Sequence, residues 1–296
     1  MTRLAIAVLL VASGCAPTLR IVAGGDLNLG ARSGDVLAPL AAVLAGDLRI
    51  VNLEGPLVDG CTPRSETLCA ATAKASTLRG RVDVASLANN HADDQGQGGR
   101  ASTVRALTAV GVHAVSDSTI VTRRGRAITI LARHLPPGVL PGDELIAAIR
   151  RARGLVIVTL HWGETGLLLP TPEQRAAGRA LIEAGATAVL GHGPHTVQPV
   201  ERWRHGVIAY SLGNLAFECD CSLESDSFVL VFEVDGRGQV GTVGLEPIAA
   251  GVRGAASRAS REPQLVRLLQ EIHDGLGVGL VLSPTRGDVG AIKPRR

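Results

Sequence analysis

At 296 residues, with 46% hydrophobic and 19% charged positions, the chain can bury a sizeable core, which excludes global disorder. Only 2% of positions are aromatic, which argues against a base-stacking nucleic-acid platform and leaves the core to Val, Leu, Ile and Ala. The net charge of +3 comes from Arg interspersed with Asp and Glu, so no stripe for a polyanion such as nucleic acid is present.

The chain opens on Met1-Thr2-Arg3, a short basic stretch, and on Leu4 to Val11, an apolar run too short to span a bilayer. Ala12-Ser13-Gly14 then lead into Cys15, an approach that resembles the bacterial lipobox except at Ala12, where Leu is usual. Residues 1–15 are therefore read as a lipoprotein-type signal peptide, with Cys15 the lipidated start of an exported cell-envelope protein. The lipid would be its only membrane attachment. Ordinary signal cleavage, or an unprocessed N-terminal strand, is the alternative.

Beyond this segment, short apolar runs alternate with helical periodicity. Leu19 to Ala23, Leu48 to Val51, Val82 to Leu87, Ala127 to Leu131, Leu155 to Leu160, Ala188 to Leu190 and Val207 to Tyr210 read as buried strands. Thr103 to Val110 and Pro172 to Ala184 read as helices, the second with Thr171 as N-cap, Pro172 in its first turn and Gly185 at its end. Strand–helix alternation predicts a layered α/β fold. Ser227 to Val234 and Val240 to Ile248 flank Asp235-Gly236, a hairpin pattern, and a last helix is expected over about Glu262 to Leu276. No linker divides the chain. One domain is expected from 19 to 280, followed by a disordered tail over 283–296.

Four further cysteines remain: Cys61, Cys69, Cys219 and Cys221. Export permits disulfides. Cys61 and Cys69 bracket a short polar segment, whereas Cys219-Asp220-Cys221 is too tight for an easy local bridge. Pairing across the two segments stays open. Neither pair has the spacing of a zinc site, so disulfides are expected, with Cys61 and Cys69 oxidised.

Residues with ligand atoms gather where strands end. Asp26 and Asn28 follow the first, Asn52 and Glu54 the second, and Asn89-Asn90-His91 with Asp94 the third. His161, then His192 with His195, and then Ser211 to Asn214 follow later strands. Singly, each fits a turn or a hydrogen-bonded core residue equally well. Together they are hard to explain by turns, because loops at the carboxyl ends of strands converge on one crevice. Carboxylate, amide and imidazole groups delivered there suit manganese, iron or zinc. His113, His134, His205 and His273 lack such company and are assigned to structure or surface.

These motifs, in order, resemble a known family. Gly25-Asp26, Asn52-Leu53-Glu54-Gly55-Pro56, Leu87-Ala88-Asn89-Asn90-His91, His161-Trp162-Gly163, Gly191-His192-Gly193-Pro194-His195 and Ser211-Leu212-Gly213-Asn214 are similar to the CapA-like, poly-γ-glutamate capsule-synthesis family. The likeness runs from about Leu19 to Ile248. That family is similar to calcineurin-like metallophosphoesterases, which implies a layered β-sandwich flanked by helices. The resemblance further implies Asp26, Asn28, Glu54, Asn90, His161, His192 and His195 as metal ligands, although Asn28 stands where phosphoesterases place a His. It implies His91 as proton donor, and Asn89 and Asn214 as substrate contacts. The implied roles are a metal-dependent hydrolase of a phosphoester or surface-polymer bond, or a non-enzymatic assembly factor. Its partners would be an anionic capsule polymer and capsule-synthesis membrane proteins.

Overall fold

Alternate residues of the strands are apolar on both faces, so each strand needs cover on two sides, and two stacked sheets between helices provide it. The computed structural model describes residues 16–30, 34–62, 64, 67–217, 226–250, 257–258, 263–276, 280–282 and 290–292. Strands β1 (Leu19–Leu27), β2 (Leu48–Leu53), β3 (Val84–Ser86) and β4 (His113–Val115) lie side by side in parallel. A second sheet follows from β5 (Ser118–Arg123), β6 (Arg126–His134), β7 (Leu155–His161), β8 (Ala188–His192), β9 (Val200–Trp203) and β10 (Gly206–Ala209). Its order is β5-β6-β7-β8-β10-β9, with β6, β7, β8 and β10 parallel.

The chain then returns to the first sheet. β11 (Asn214–Ala216) pairs with the end of β1, and β12 (Asp226–Val234) and β13 (Val240–Ala249) form the hairpin expected around Asp235-Gly236. Short strands β14 (Ser257–Arg258), β15 (Leu280–Leu282) and β16 (Gly290–Ile292) extend that edge. The last of these lies in the segment expected to be a disordered tail. Its backbone pairs with β13 and β15, contacts between distant positions that local periodicity does not register.

Four helices, α1 (Gly96–Ala109), α2 (Asp143–Arg151), α3 (Pro172–Glu183) and α4 (Pro263–Leu276), complete the described elements, together with two short 3-10 turns. α3 begins with a full capping box between Thr171 and Gln174. α1 starts earlier than its apolar residues indicate, and β4, β5, α2, β9 and β11 are too short or too polar to stand out in sequence.

Period-two alternation sorts the side chains into layers. Ile21, Ala23, Ile50, Ile128, Ile157, Leu190, Val207 and Phe228 meet between the sheets. Val22, Val51 and Ala85 face outward onto Leu40, Leu78 and Leu107. Val156, Val158, Val189 and Ile208 face outward onto Leu145 and Ile149 of α2 and Leu181 of α3. The result is the layered α/β sandwich flanked by helices that the family resemblance implied. Burial contributes roughly 1.5–3 kcal/mol for each such large side chain, so the layers hold the fold and the strand ends are left for chemistry.

Cys61 and Cys69 are bonded to each other, which excludes their pairing with Cys219 or Cys221. Cys15, Cys219 and Cys221 lie outside the described residues. Among the described residues no helix is long and apolar enough to cross a membrane.

Candidate metal centre

Parallel strands end at one edge of each sheet, and here two such edges face each other. Asp26 on β1 is register partner to Asn52 on β2 and to Asn214 on β11, giving one row across the first sheet. His161 on β7 is partner to His192 on β8 and to His134 on β6, giving a row across the second. Gly25 is needed at this point. Any Cβ there would collide with the Gly213 carbonyl, which instead accepts the Asp26 N–H at 2.8 Å.

The rows join through short polar contacts. Asn52 Nδ2 donates to Asp26 Oδ1 at 2.8 Å and lies 3.3 Å from His161 Nδ1 and 3.5 Å from Glu54 Oε2. The Gly193 N–H donates to Asp26 Oδ2 at 3.2 Å. His192 Nδ1 stands 3.2 Å from Asp26 Oδ1, and His195 Nδ1 stands 3.3 Å from Asp26 Oδ2 and 2.9 Å from Asn214 Oδ1. His195 Nε2 faces Glu54 Oε1 at 3.6 Å. Opposite it, His91 Nε2 lies 3.9 Å from the same oxygen, while its Nδ1 is held at 2.8 Å by Asp94. His91 and His195 are the partly exposed members, at 21% and 15%, so the cleft opens on their side.

Electrostatics make the cluster unusual. Burial raises the Asp26 carboxyl, but the imidazoles of His192, His195 and His161 outweigh it and hold Asp26 ionised, well below the usual range. Glu54 moves the other way. Burial, then repulsion from Asp26, pushes it up to about 8. Burial drives His161 down to about 3, so its ring stays neutral and available as a ligand. Glu54 Oε1 and His192 Nε2 are buried without a hydrogen-bond partner. Such groups are costly unless something else satisfies them. Ligand atoms of Asp26, Glu54 and His161 all lie within 4.8 Å of one another. Two buried carboxylates beside imidazole fit a divalent cation, whose charge would relieve the Asp26–Glu54 repulsion.

The family described as "Bacterial capsule synthesis protein PGA_cap" matches residues 20–116 and 115–219. The chain belongs to this family. The PGA_cap chain is 30% identical over 184 residues to "Capsule biosynthesis protein CapA" of Bacillus anthracis, covering 52% of this chain and 45% of that protein. It is 31% identical over 177 residues to "PGA biosynthesis protein CapA" of Bacillus subtilis (strain 168), covering 51% and 47% respectively. It thus spans about half the length of these curated relatives. In fold alone it is similar to a hypothetical protein from Thermus thermophilus, with a TM-score of 0.54 and 15% identity over 77% of this chain and 98% of that one.

Within this PGA_cap site, the residues singled out in sequence divide into groups. Asp26, Glu54, His161, His192, His195 and Asn214 converge, with His91 at the rim. Asn28 is buried, and its Oδ1 accepts the Gly30 N–H at 2.6 Å in a local turn. Asn90 is exposed, and its neighbour Asn89 points inward instead, donating to Asn52 Oδ1 at 3.1 Å and to the Leu53 carbonyl at 2.9 Å. Asn89 braces the site through Asn52. In sequence Asn52 is only a strand-exit residue, yet it sits at the centre, and its place on β2 two residues before Glu54 is the signal that marks it. His134 has no polar company along the chain, but its ring stands edge-on to His161 at 5.5 Å, which only the β6–β7 register reveals.

Proposed function

We propose that this chain acts in capsule-polymer biosynthesis at the cell envelope as a hydrolase using one divalent cation, cleaving a phosphoester or a related bond of a surface polymer. The observation that carries the reading is the buried Asp26–Glu54–His161 cluster, with Glu54 Oε1 left without a hydrogen-bond partner. When bound, the cation supplies Lewis-acid chemistry, polarising the scissile bond and acidifying water. Asp26, Glu54 and His161 would hold it, with His192 and His195 completing the shell. Manganese, iron and zinc all suit this donor set.

The remaining steps belong to the chain. Asn52 orients Asp26 through its amide, and Asn89 fixes Asn52 in turn. Asp94 holds the His91 ring through Nδ1 so that Nε2 faces the cleft, where the doubly protonated ring gives its Nε2 proton to the leaving oxygen. A positioned acid of this kind typically contributes about 100-fold or more to the rate. Substrate enters beside His91 and His195, with Asn214 behind His195. The buried Asp26–Glu54–His161 cluster needs one cation only.

Asn28, standing where phosphoesterases place a His, supports a second reading, in which the cation is structural and the protein binds and assembles an anionic polymer such as poly-γ-glutamate without cleaving it. In both readings Cys15 anchors the exported domain (from residue 19 to about 280) by lipid, near the membrane proteins of capsule synthesis. Metal content of the purified domain, measured with turnover of bis(para-nitrophenyl) phosphate, separates the two. Cation with turnover supports the hydrolase. Cation and polymer binding without turnover supports the assembly role. Failure to retain manganese, iron or zinc after loading defeats both.

A further inference from the structure

The segment between β2 and α1 is stitched to the candidate site at several points, and a disulfide closes it. Cys61 and Cys69 are bonded at a sequence separation of 8. Just inside the bridge, the Leu68 N–H donates to Asp94 Oδ2, the same oxygen that stands 2.8 Å from His91 Nδ1. Just outside it, the Ala70 N–H donates to the Pro56 carbonyl at 2.9 Å, and the Val58 N–H donates to the Ala70 carbonyl at 2.7 Å. These bonds fasten the end of the bridge to the strand exit that carries Glu54. Leu68 also lies over Gly55, where an added Cβ would stand 2.9 Å from Leu68 Cβ and where φ is +108°. Glycine is required there by space and by backbone conformation alike.

We propose that the Cys61–Cys69 disulfide is a redox-controlled positioning device for His91. The oxidised bridge holds the Leu68 N–H against Asp94. Asp94, turned by that bond, takes the Nδ1 proton of His91 in a hydrogen bond and leaves Nε2 facing Glu54. Without the bridge, the chain entropy of the freed segment pulls Leu68 from Asp94, whose carboxylate then rotates and releases the ring. The chemical step is a thiol–disulfide exchange. A dithiol attacks one sulfur and is itself oxidised to a disulfide, and its two electrons and two protons leave Cys61 and Cys69 as thiols. Leu68, Asp94 and the bridge are positioning elements, because none of them is placed among the reacting atoms. The consequence for turnover rests on reading His91 as the proton donor, but the positioning itself does not.

The test reads the His91 tautomer, which needs neither cation nor substrate. The full chain, labelled with nitrogen-15 at histidine and freed of metal by chelation, is followed by long-range nitrogen–proton correlation at alkaline pH. His91 is assigned by comparison with His91→Ala. The bond to Asp94 fixes the proton on Nδ1, the less common tautomer of a free imidazole. His273 provides an internal control, since its Nδ1 donates to the Leu269 carbonyl at 2.6 Å and its Nε2 accepts the Val200 N–H at 3.1 Å. Reduction with dithiothreitol, and separately Cys61→Ser with Cys69→Ser, should move His91 from predominantly Nδ1–H to predominantly Nε2–H and leave His273 unchanged. Asp94→Leu should give the same His91 signature with the disulfide intact. A His91 signal that keeps the Nδ1–H form after reduction overturns the proposal. So does loss of the His273 signal together with it, because the bridge would then hold the whole fold and not the ring. Neither result bears on whether the site holds a cation.

Discussion

Replacing Glu54 by Gln keeps the shape of the side chain and removes the charge, and the outcome should change sign with conditions. In the metal-free protein the Glu54 carboxyl is pushed from 4.5 to about 8 by burial and by Asp26. A group raised in the folded state stabilises fully below its unfolded value and loses that contribution as pH rises through its folded value. Wild-type stability should therefore fall between about pH 4.5 and 8, at up to about 1.4 kcal/mol per pH unit, to a ceiling of roughly 5 kcal/mol. Relaxation of Asp26 and His195 reduces this, and about 2–3 kcal/mol is the expected size. The Gln variant has no such loss. By scanning calorimetry after chelation, it should match wild type near pH 5 and melt higher by about 5 °C near pH 9. Adding manganese or zinc should reverse the order, because wild type gains about 4.1 kcal/mol at a cation concentration 1,000-fold above Kd and the variant gains little. If the variant were less stable by the same amount at both pH values, and cation changed neither protein, Glu54 would be a structural hydrogen-bonding residue. The metal-centre argument would then fail.

His91→Ala should retain the cation but lower turnover of bis(para-nitrophenyl) phosphate by about 100-fold or more, and an unchanged rate would remove His91 from the chemistry. Asn52→Ala should weaken cation binding by about 10–100-fold in isothermal titration, because Asp26 loses the amide that orients it. An unaltered affinity would reduce Asn52 to loop packing. Cys15→Ser should release the protein from membranes with its melting temperature unchanged. An intact Met1 at the N-terminus of the mature protein, seen by mass spectrometry, would refute lipidation.

Much of this molecule is local in origin and legible as such. The strands of the sandwich core are runs of Val, Ile and Leu that cannot face water on either side, and Thr171 with Gln174 marks the start of α3 by a hydrogen-bond pattern contained within four residues. Asp26, Glu54, His161 and His192 can be nominated because each ends or follows a strand, and parallel strands end at a common edge. A loop between strands offers no comparable rule. Asn89 and Asn90 are adjacent and identical in chemistry, yet one braces Asn52 and the other meets solvent, according to how the chain turns after β3. The Asn28 oxygen accepts the Gly30 N–H two residues on, a partner set by the same kind of local turn.

Register is the other quantity that the sequence by itself does not contain. That Asp26 sits level with both Asn52 and Asn214, and His161 with both His192 and His134, depends on strands pairing across large separations in the chain. The raised Glu54 and lowered His161 follow from that pairing, because burial and neighbouring charge act through space. Local pattern determined which residues were available at the strand ends. Only the stacking of two sheets decided which of them share one buried cluster, because Coulomb and hydrogen-bond energies depend on distance and not on order along the chain.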